Sequence, residues 1–313
     1  GEPGTGKTML GPILSSYQRV EVQRIEYIYE YVSMLRHLGR IEEDAARWMI
    51  RTYTDMACYN TMVGRDTNFR WKDLSGVLSN PGGWRYFRRL FQPEGDAVLD
   101  KIEATQPILQ FITHQVINST VIEALGNRLR IIEMVRNPLY LISHWYSYMD
   151  RFGTNPRDFS MSINHGGSHI PWFAYGWEDE YKACNKMDKV IHLLHRLWQM
   201  TENNLAVQDP GVRERVMYMP FERFVVHPQP YLDKMGQLMG TIPNGMMGRT
   251  LKKEKVPRKL TTAGKDLPIY RRYSWNPPAQ SLTENEELAR RREQVALEAS
   301  EYAMAVLDRM CGE

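Results

Sequence analysis

Apolar positions recur at three- and four-residue steps from about Ile41 to Val63, through Ala45, Trp48, Met49, Met56 and Tyr59. That period predicts an amphipathic helix. Shorter helical patterns cover Asp73–Leu78, Trp84–Phe91 and Ala97–Ala104, with Asn80-Pro-Gly-Gly as a breaker after the first. Residues 37–105 thus read as a helical insertion without strands. Ahead of it, a helix is expected over Met9–Tyr17, and Arg19–Tyr27 alternates apolar and polar residues at period two, as a strand does. Behind it, Pro107–Thr113 and Arg130–Val135 are short apolar runs of strand character, and Val216–Met219 is a third. Helical patterns over Ser119–Leu125, Leu139–Met149, Tyr181–Thr201 and Pro230–Met239 lie between and after them. Thr283-Glu-Asn-Glu286 is a capping box that opens a long charged helix reaching about Met310.

Strands that alternate with helices predict an α/β fold, a mostly parallel sheet covered on both faces. The first eight residues refine this. Gly1-x-x-x-x-Gly6-Lys7-Thr8 fits the pattern of a loop that cradles phosphate. Glycines such as Gly4 and Gly6 let backbone N–H groups converge on an anion, and the following helix adds its positive dipole end. Lys7 supplies a mobile charge and Thr8 a hydroxyl. The expected architecture is a P-loop-type three-layer α/β/α sandwich over residues 1–313, with the helical insertion at about 37–105 and the C-terminal helix at about 283–310. A strand normally precedes such a loop. None stands before Gly1, so the natural N-terminus is expected to lie upstream.

The loop alone does not select its anion. Nucleoside triphosphate enzymes of this fold place an acidic residue at the end of an apolar strand to hold magnesium. Here Pro107–Thr113 is followed by His114 and Arg130–Val135 by Arg136. An arginine at a strand's carboxyl end sits where ligands bind in open parallel sheets. Arg136 therefore reads either as a second anion site or as half of an interior salt bridge. Pro138 suits the first turn of the next helix, which carries Ser143 and Ser147. His114, also at a strand end, is a candidate general base.

These pieces resemble the PAPS-dependent sulfotransferases, which transfer a sulfuryl group from 3′-phosphoadenosine 5′-phosphosulfate. Pro3-Gly-Thr-Gly-Lys-Thr8 is similar to the family's P-[KR]-[ST]-G-[ST]-[TS] loop. Phe111-Ile-Thr-His114 resembles its K-T-H strand end, and Ile131 to Pro138 its I-I-Y-V-x-R-N-P element. His114 and Arg136 lie 22 residues apart, the separation associated with cytosolic members. Met219 to Gly240 is similar to a later family segment, and Arg258-Lys259 to its C-terminal clamp. The likeness covers residues 1–27 and 107–264. It implies PAPS as donor, no metal, and His114 as base toward a hydroxyl or amine. It also implies that Lys7 acts on the leaving phosphate oxygen, Gly4, Thr5, Gly6, Lys7 and Thr8 hold the 5′-phosphate, Arg136 and Ser143 hold the 3′-phosphate, and Arg258 and Lys259 close over the donor. Three positions depart from the pattern. Gly4 replaces a basic residue, His144 stands where the family has its serine, leaving Ser147 as the fallback contact, and Leu260 replaces a glycine.

Composition adds limits. A net charge of +3 is too mild to imply nucleic-acid binding. Three scattered cysteines make no disulfide framework or zinc pair, which fits a reducing, cytoplasmic interior. No apolar run has the length of a membrane span; an upstream targeting or anchor segment is left open. The basic residues Arg65, Arg70, Lys72, Arg85, Arg88 and Arg89 interleave with Phe69, Trp71, Trp84, Tyr86 and Phe87. That mixture suits a carbohydrate or polyanionic acceptor; the plainer alternative buries the aromatics and turns the arginines to water. His165 to Trp172 reads as a substrate-facing loop, Glu178–Glu180 as an exposed acidic turn or a spare base, and Arg290–Arg292 as a solvated helix face. A small-molecule or carbohydrate acceptor is expected, and the oligomeric state is not encoded in these patterns. The rivals are an ATP-dependent small-molecule kinase, for which Lys7 is the best argument, and a non-catalytic nucleotide-binding protein.

Overall fold

The computed structural model describes residues 2–71, 73–114, 119–150, 152, 159–261, 263–264 and 282–312. Gly1 and Lys72 lie outside them. The fold is mixed α/β and mostly helical. Helix α1 (Lys7–Leu14) leaves the loop at once, and β1 (Arg24–Ile25) follows. Next come α2 (Tyr27–His37), α3 (Glu43–Val63), α4 (Trp84–Arg89) and α5 (Asp96–Thr105). Strand β2 (Phe111–Ile112), α6 (Ser119–Leu125), β3 (Ile131–Val135) and α7 (Pro138–Met149) lead to a hairpin of β4 (Ser162–His165) and β5 (Ser168–Pro171). Helices α8 (Glu178–Ala183), α9 (Lys186–Ala206) and α10 (Pro210–Arg213) precede β6 (Val216–Pro220). Helices α11 (Phe221–Val226), α12 (Gln229–Met239), α13 (Met247–Glu254), α14 (Glu284–Ala296) and α15 (Glu301–Gly312) complete the order.

The parallel pairing expected from the sequence is present, but in two pieces. β1 pairs with β2, and β3 pairs with β6, both in parallel. Among the described residues no ladder joins the two pairs into one central sheet. The expected strand Arg19–Tyr27 is shorter than its alternation predicts. Arg19 adopts a left-handed φ of 65°, and Tyr27 already begins α2. Between them the chain runs beside residues 106–112, with Ile108 N–H donating to the Arg19 carbonyl and Arg24 N–H to that of Gln110. The buried Gln110 amide reinforces the seam by donating to the carbonyls of Gly11 and Glu21 and to Ser15 Oγ.

Several boundaries follow chemistry that periodicity does not register. Asp73–Leu78 is turns and the start of a single 3₁₀ turn, because the Asp73 carboxylate accepts from Ser75 N–H and Oγ–H and closes a tight turn instead. The helix expected over Tyr181–Thr201 is two, since the Asn185 side chain caps a new helix by accepting from Asp188 N–H. His165 to Trp172 is not a loop. It spans a two-residue hairpin turn whose Gly166 and Gly167 both take positive φ, 57° and 75°. The capping box at Thr283 forms, but the last helix breaks at residues 297–300, where Ser300 N–H donates to the Asp188 carboxylate. Residues 37–105 contain helices and no strand among those described.

The chain packs around two large cores. One joins α1, β3, β6, α11 and α12 through Ile13, Met134, Met219, Phe224 and Met235, each fully buried. The other joins α7, α9 and α15 through Leu141, Trp145, Ile191, Leu194 and Leu307. Each such side chain contributes about 1.5–3 kcal/mol by burial. A third, smaller core holds α2 against α3 and α6 through Tyr29, Val32, Ile50 and Ala124. Among the described residues no helix is long and apolar enough to cross a membrane.

Candidate functional site

The loop from Glu2 to Lys7 has the geometry of a cradle. Gly4 and Gly6 take left-handed φ of 93° and 99°, as residues of anion-binding loops do, and Gly6 caps α1. Thr5 is buried, its N–H and Oγ–H both donating to the Glu2 carbonyl. Lys7 Nζ donates to the same carbonyl at 2.7 Å. Thr8 is exposed at the first turn of α1. A Cβ at Gly6 would stand 2.6 Å from the Phe221 ring, so no other residue fits beneath the loop without moving that ring.

Burial is the main influence on the charges here. It holds the Lys7 ammonium well below the usual lysine range, at about 8, against the opposing pull of Glu2, Glu133 and Glu30. It also pushes the Glu2 carboxyl up to about 7 in spite of Lys7. Glu133, on β3, and Glu30, on α2, are themselves buried.

Arg136 follows β3, as the sequence requires, and its guanidinium turns back onto the loop. Nη1 donates to the Gly4 carbonyl at 2.8 Å, and Nε lies 3.7 Å from a Glu222 oxygen. The group sits 4.3 Å from the centre of the Phe221 ring and 4.8 Å from that of Tyr140. Arg136 is thus part of the loop's own support. Of the two sequence expectations, the structure shows the interior ion pair, with Glu222. Arg258 approaches the same platform, its guanidinium 5.4 Å from the Phe221 ring, and donates to Met9 Sδ. Lys259 is exposed, outside this arrangement.

Helix α7 faces the loop with other residues than those expected. A Cβ on Gly4 would meet Leu141 and His144. Burial, together with Lys7, His114 and Arg136, pushes the His144 imidazole down to about 4, so it is neutral at pH 7. Ser143 Oγ is shielded and makes no hydrogen bond, and Ser147 is buried one turn further on. Position 144, where the family pattern has serine, is therefore the one beside the cradle.

His114 ends the β2 segment and is held by α2. Its backbone N–H donates to Glu30 Oε1 at 2.6 Å, and its Nδ1 lies 3.2 Å from the same oxygen. The Tyr27 ring stacks on the imidazole at 6.1 Å and 14°. Sequence reading missed Glu30 because it missed α2. The run Ile25 to Met34 is rich in aromatic and β-branched residues that fit strand or helix equally. The legible signal was a pair of carboxylates, Glu26 and Glu30, four residues apart in a largely apolar stretch.

The other candidates lie elsewhere. Asp179 pairs with His165 at 2.8 Å, and Glu180 with Arg196 at 2.9 Å. In the insertion the plainer expectation holds in part: Tyr86 is buried and Arg65, Arg70 and Arg88 are exposed, with three exceptions. Arg89 is buried against Glu21, while Trp71 and Trp84 are 76% and 70% exposed. Arg291 is likewise not solvated but packed over Tyr140 and paired with Glu287. Among the described residues no cluster of three or more histidine, cysteine or acidic side chains could hold a metal. No family model, curated protein or solved structure matches this chain.

Proposed function

We propose that this chain is a sulfotransferase that moves a sulfuryl group from PAPS to a hydroxyl or amine of a small-molecule or carbohydrate acceptor. The observation that carries this reading is the convergence of Lys7, Arg136, His144 and His114 on one glycine cradle at the carboxyl ends of β2 and β3. Four cationic or proton-binding groups around a cradle that tolerates no Cβ suit a dense anion, such as a phosphosulfate. In this reading the two parallel pairs belong to one central sheet of a three-layer P-loop-type sandwich.

The donor supplies an activated sulfuryl group; the chain supplies position and charge. Loop amides and Lys7 hold the phosphate that bears the sulfuryl group. His114 takes the proton from the acceptor hydroxyl as the acceptor O–S bond forms and the S–O bond to phosphate breaks. Lys7 then neutralises charge on the leaving phosphate oxygen. For the second phosphate the chain offers Arg136, the unpartnered Ser143 Oγ and His144. Arg258 is the remaining clamp candidate; Lys259 would have to swing inward.

One observation favours a second reading. The buried carboxylates of Glu30 and Glu133 lie within electrostatic reach of Lys7, where a P-loop kinase keeps an acid. Titration calorimetry separates the two. Binding of 3′,5′-adenosine bisphosphate without magnesium is expected, with weaker ATP–magnesium binding. Tight ATP binding and no bisphosphate binding would sink the sulfotransferase reading. His114→Ala is expected to abolish turnover and keep bisphosphate affinity. A protein that binds the bisphosphate yet never turns PAPS over is a binding protein.

A further inference from the structure

The His114–Glu30 contact joins a strand end to a helix 84 residues earlier in the chain. Glu30 is 5% exposed on its side chain, whereas the His114 ring is 34% exposed. One oxygen of the carboxylate receives both the backbone N–H and the Nδ1 edge of the same residue. The two contacts fix the Cα position and the ring rotation together. Tyr27, one helical turn before Glu30, covers a face of the ring.

An imidazole carries its two nitrogens on diverging edges, and the partner of one decides the role of the other. A carboxylate oxygen only accepts, so Nδ1 must donate to it. Nε2 is then left with its lone pair, directed away from Glu30 and from the buried side of the contact. We propose that Glu30 is a positioning residue that holds His114 in its Nδ1–H tautomer, making Nε2 the atom that takes the acceptor's proton. This rests on the sulfotransferase reading for the reaction, though not for the tautomer itself. The same carboxylate stabilises the imidazolium once the proton has moved from the acceptor oxygen to Nε2, the logic of a histidine oriented by a buried acid. Lys7, Glu2 and His144 are titratable groups within electrostatic reach of this pair. His144 is neutral beside His114.

The test reads the tautomer directly. Full-length protein labelled with ¹⁵N-histidine is compared as wild type, Glu30→Ala and Glu30→Gln. In the wild type the His114 signals are expected to show a protonated Nδ1 and an unprotonated Nε2. Glu30→Ala should shift the population to the Nε2–H form that free imidazole prefers. Glu30→Gln, whose oxygen can still accept, should retain the Nδ1–H form, so the idea stays testable even if the alanine variant folds poorly. PAPS conversion to bisphosphate with water as acceptor should fall on the order of 10²-fold in kcat for Glu30→Ala, less for Glu30→Gln. The Kd of bisphosphate should be unchanged in both. An unaltered tautomer in Glu30→Ala would overturn the proposal. So would a loss of turnover that merely tracks a loss of bisphosphate binding. If the wild type binds no bisphosphate, the sulfotransferase reading fails while the ¹⁵N spectrum still decides the tautomer.

Discussion

Lys7 shows how one residue sets the electrostatics of the cradle. A lysine in water keeps its proton far above neutrality, but burial here holds its pKa at about 8, and the neighbouring Glu2 carboxyl is pushed up to about 7. An anion in the cradle needs Lys7 charged and is repelled by a charged Glu2. Raising the pH through about 7 ionises Glu2, and raising it through about 8 discharges Lys7. Both changes weaken anion binding, so the signs add. Calorimetry with 3′,5′-adenosine bisphosphate at stepped pH should show affinity falling across this window, and Lys7→Met should remove the upper part of the fall. A flat profile in the wild type would contradict the burial argument. The residue types of the loop were legible because a left-handed φ at Gly4 and Gly6 is a local demand that few residues meet. The neutral state of His144 was not, because it depends on three groups from three elements.

At the scale of elements, α4 illustrates an anchor hidden from sequence patterning. Arg89 donates to both oxygens of Glu21, at 2.8 and 2.9 Å, and Tyr86 Oη–H donates to the same carboxylate. Burial pushes the Glu21 carboxyl up, but Arg89, Arg85 and Tyr86 more than offset it and hold it below the ordinary range. A depressed carboxyl contributes stability at neutral pH that is lost as pH falls through its folded-state value. Arg89→Ala leaves that carboxylate buried without its main partner and should cost about 3–5 kcal/mol in urea unfolding. The double variant Glu21→Gln/Arg89→Met, which removes both charges, should recover much of the loss. Equal losses in the two variants would show that packing, not the ion pair, carries the anchor. Helices α3, α7 and α12 were readable to within two residues because an apolar stripe and a cap are properties of neighbouring positions. The breaks before α9 and α15 were not: the first uses the Asn185 side chain as a cap, a polar bond that competes with a continuing helix, and the second is met by the Asp188 carboxylate, 112 residues away in the chain.

At the scale of the whole molecule, the candidate site takes one wall from each of three cores. Phe221, beneath the loop, belongs to the core around α1 and β6, α7 to the core it shares with α9, and α2 to the small core with α3 and α6. A ligand bound at their junction ties them together. Bisphosphate at a hundred times its Kd should add about 2.7 kcal/mol to folding stability and raise the thermal midpoint by several degrees. Lys7→Ala should abolish the shift; an unchanged shift would place the ligand elsewhere. The sequence by itself determined the glycine cradle, the parallel strand segments, the placement of His114 and Arg136 at strand ends, and the helical character of residues 43–63. Those features depend on backbone sterics, side-chain period and caps, which act within a few residues. Only the tertiary structure decided that Arg136 bends back to the Gly4 carbonyl, that His144 stands beside the cradle, that Arg89 turns inward, and that Glu30 meets His114. Each of those depends on burial and on a partner tens of residues away, where the energy of a charged group is set by what the fold brings to it.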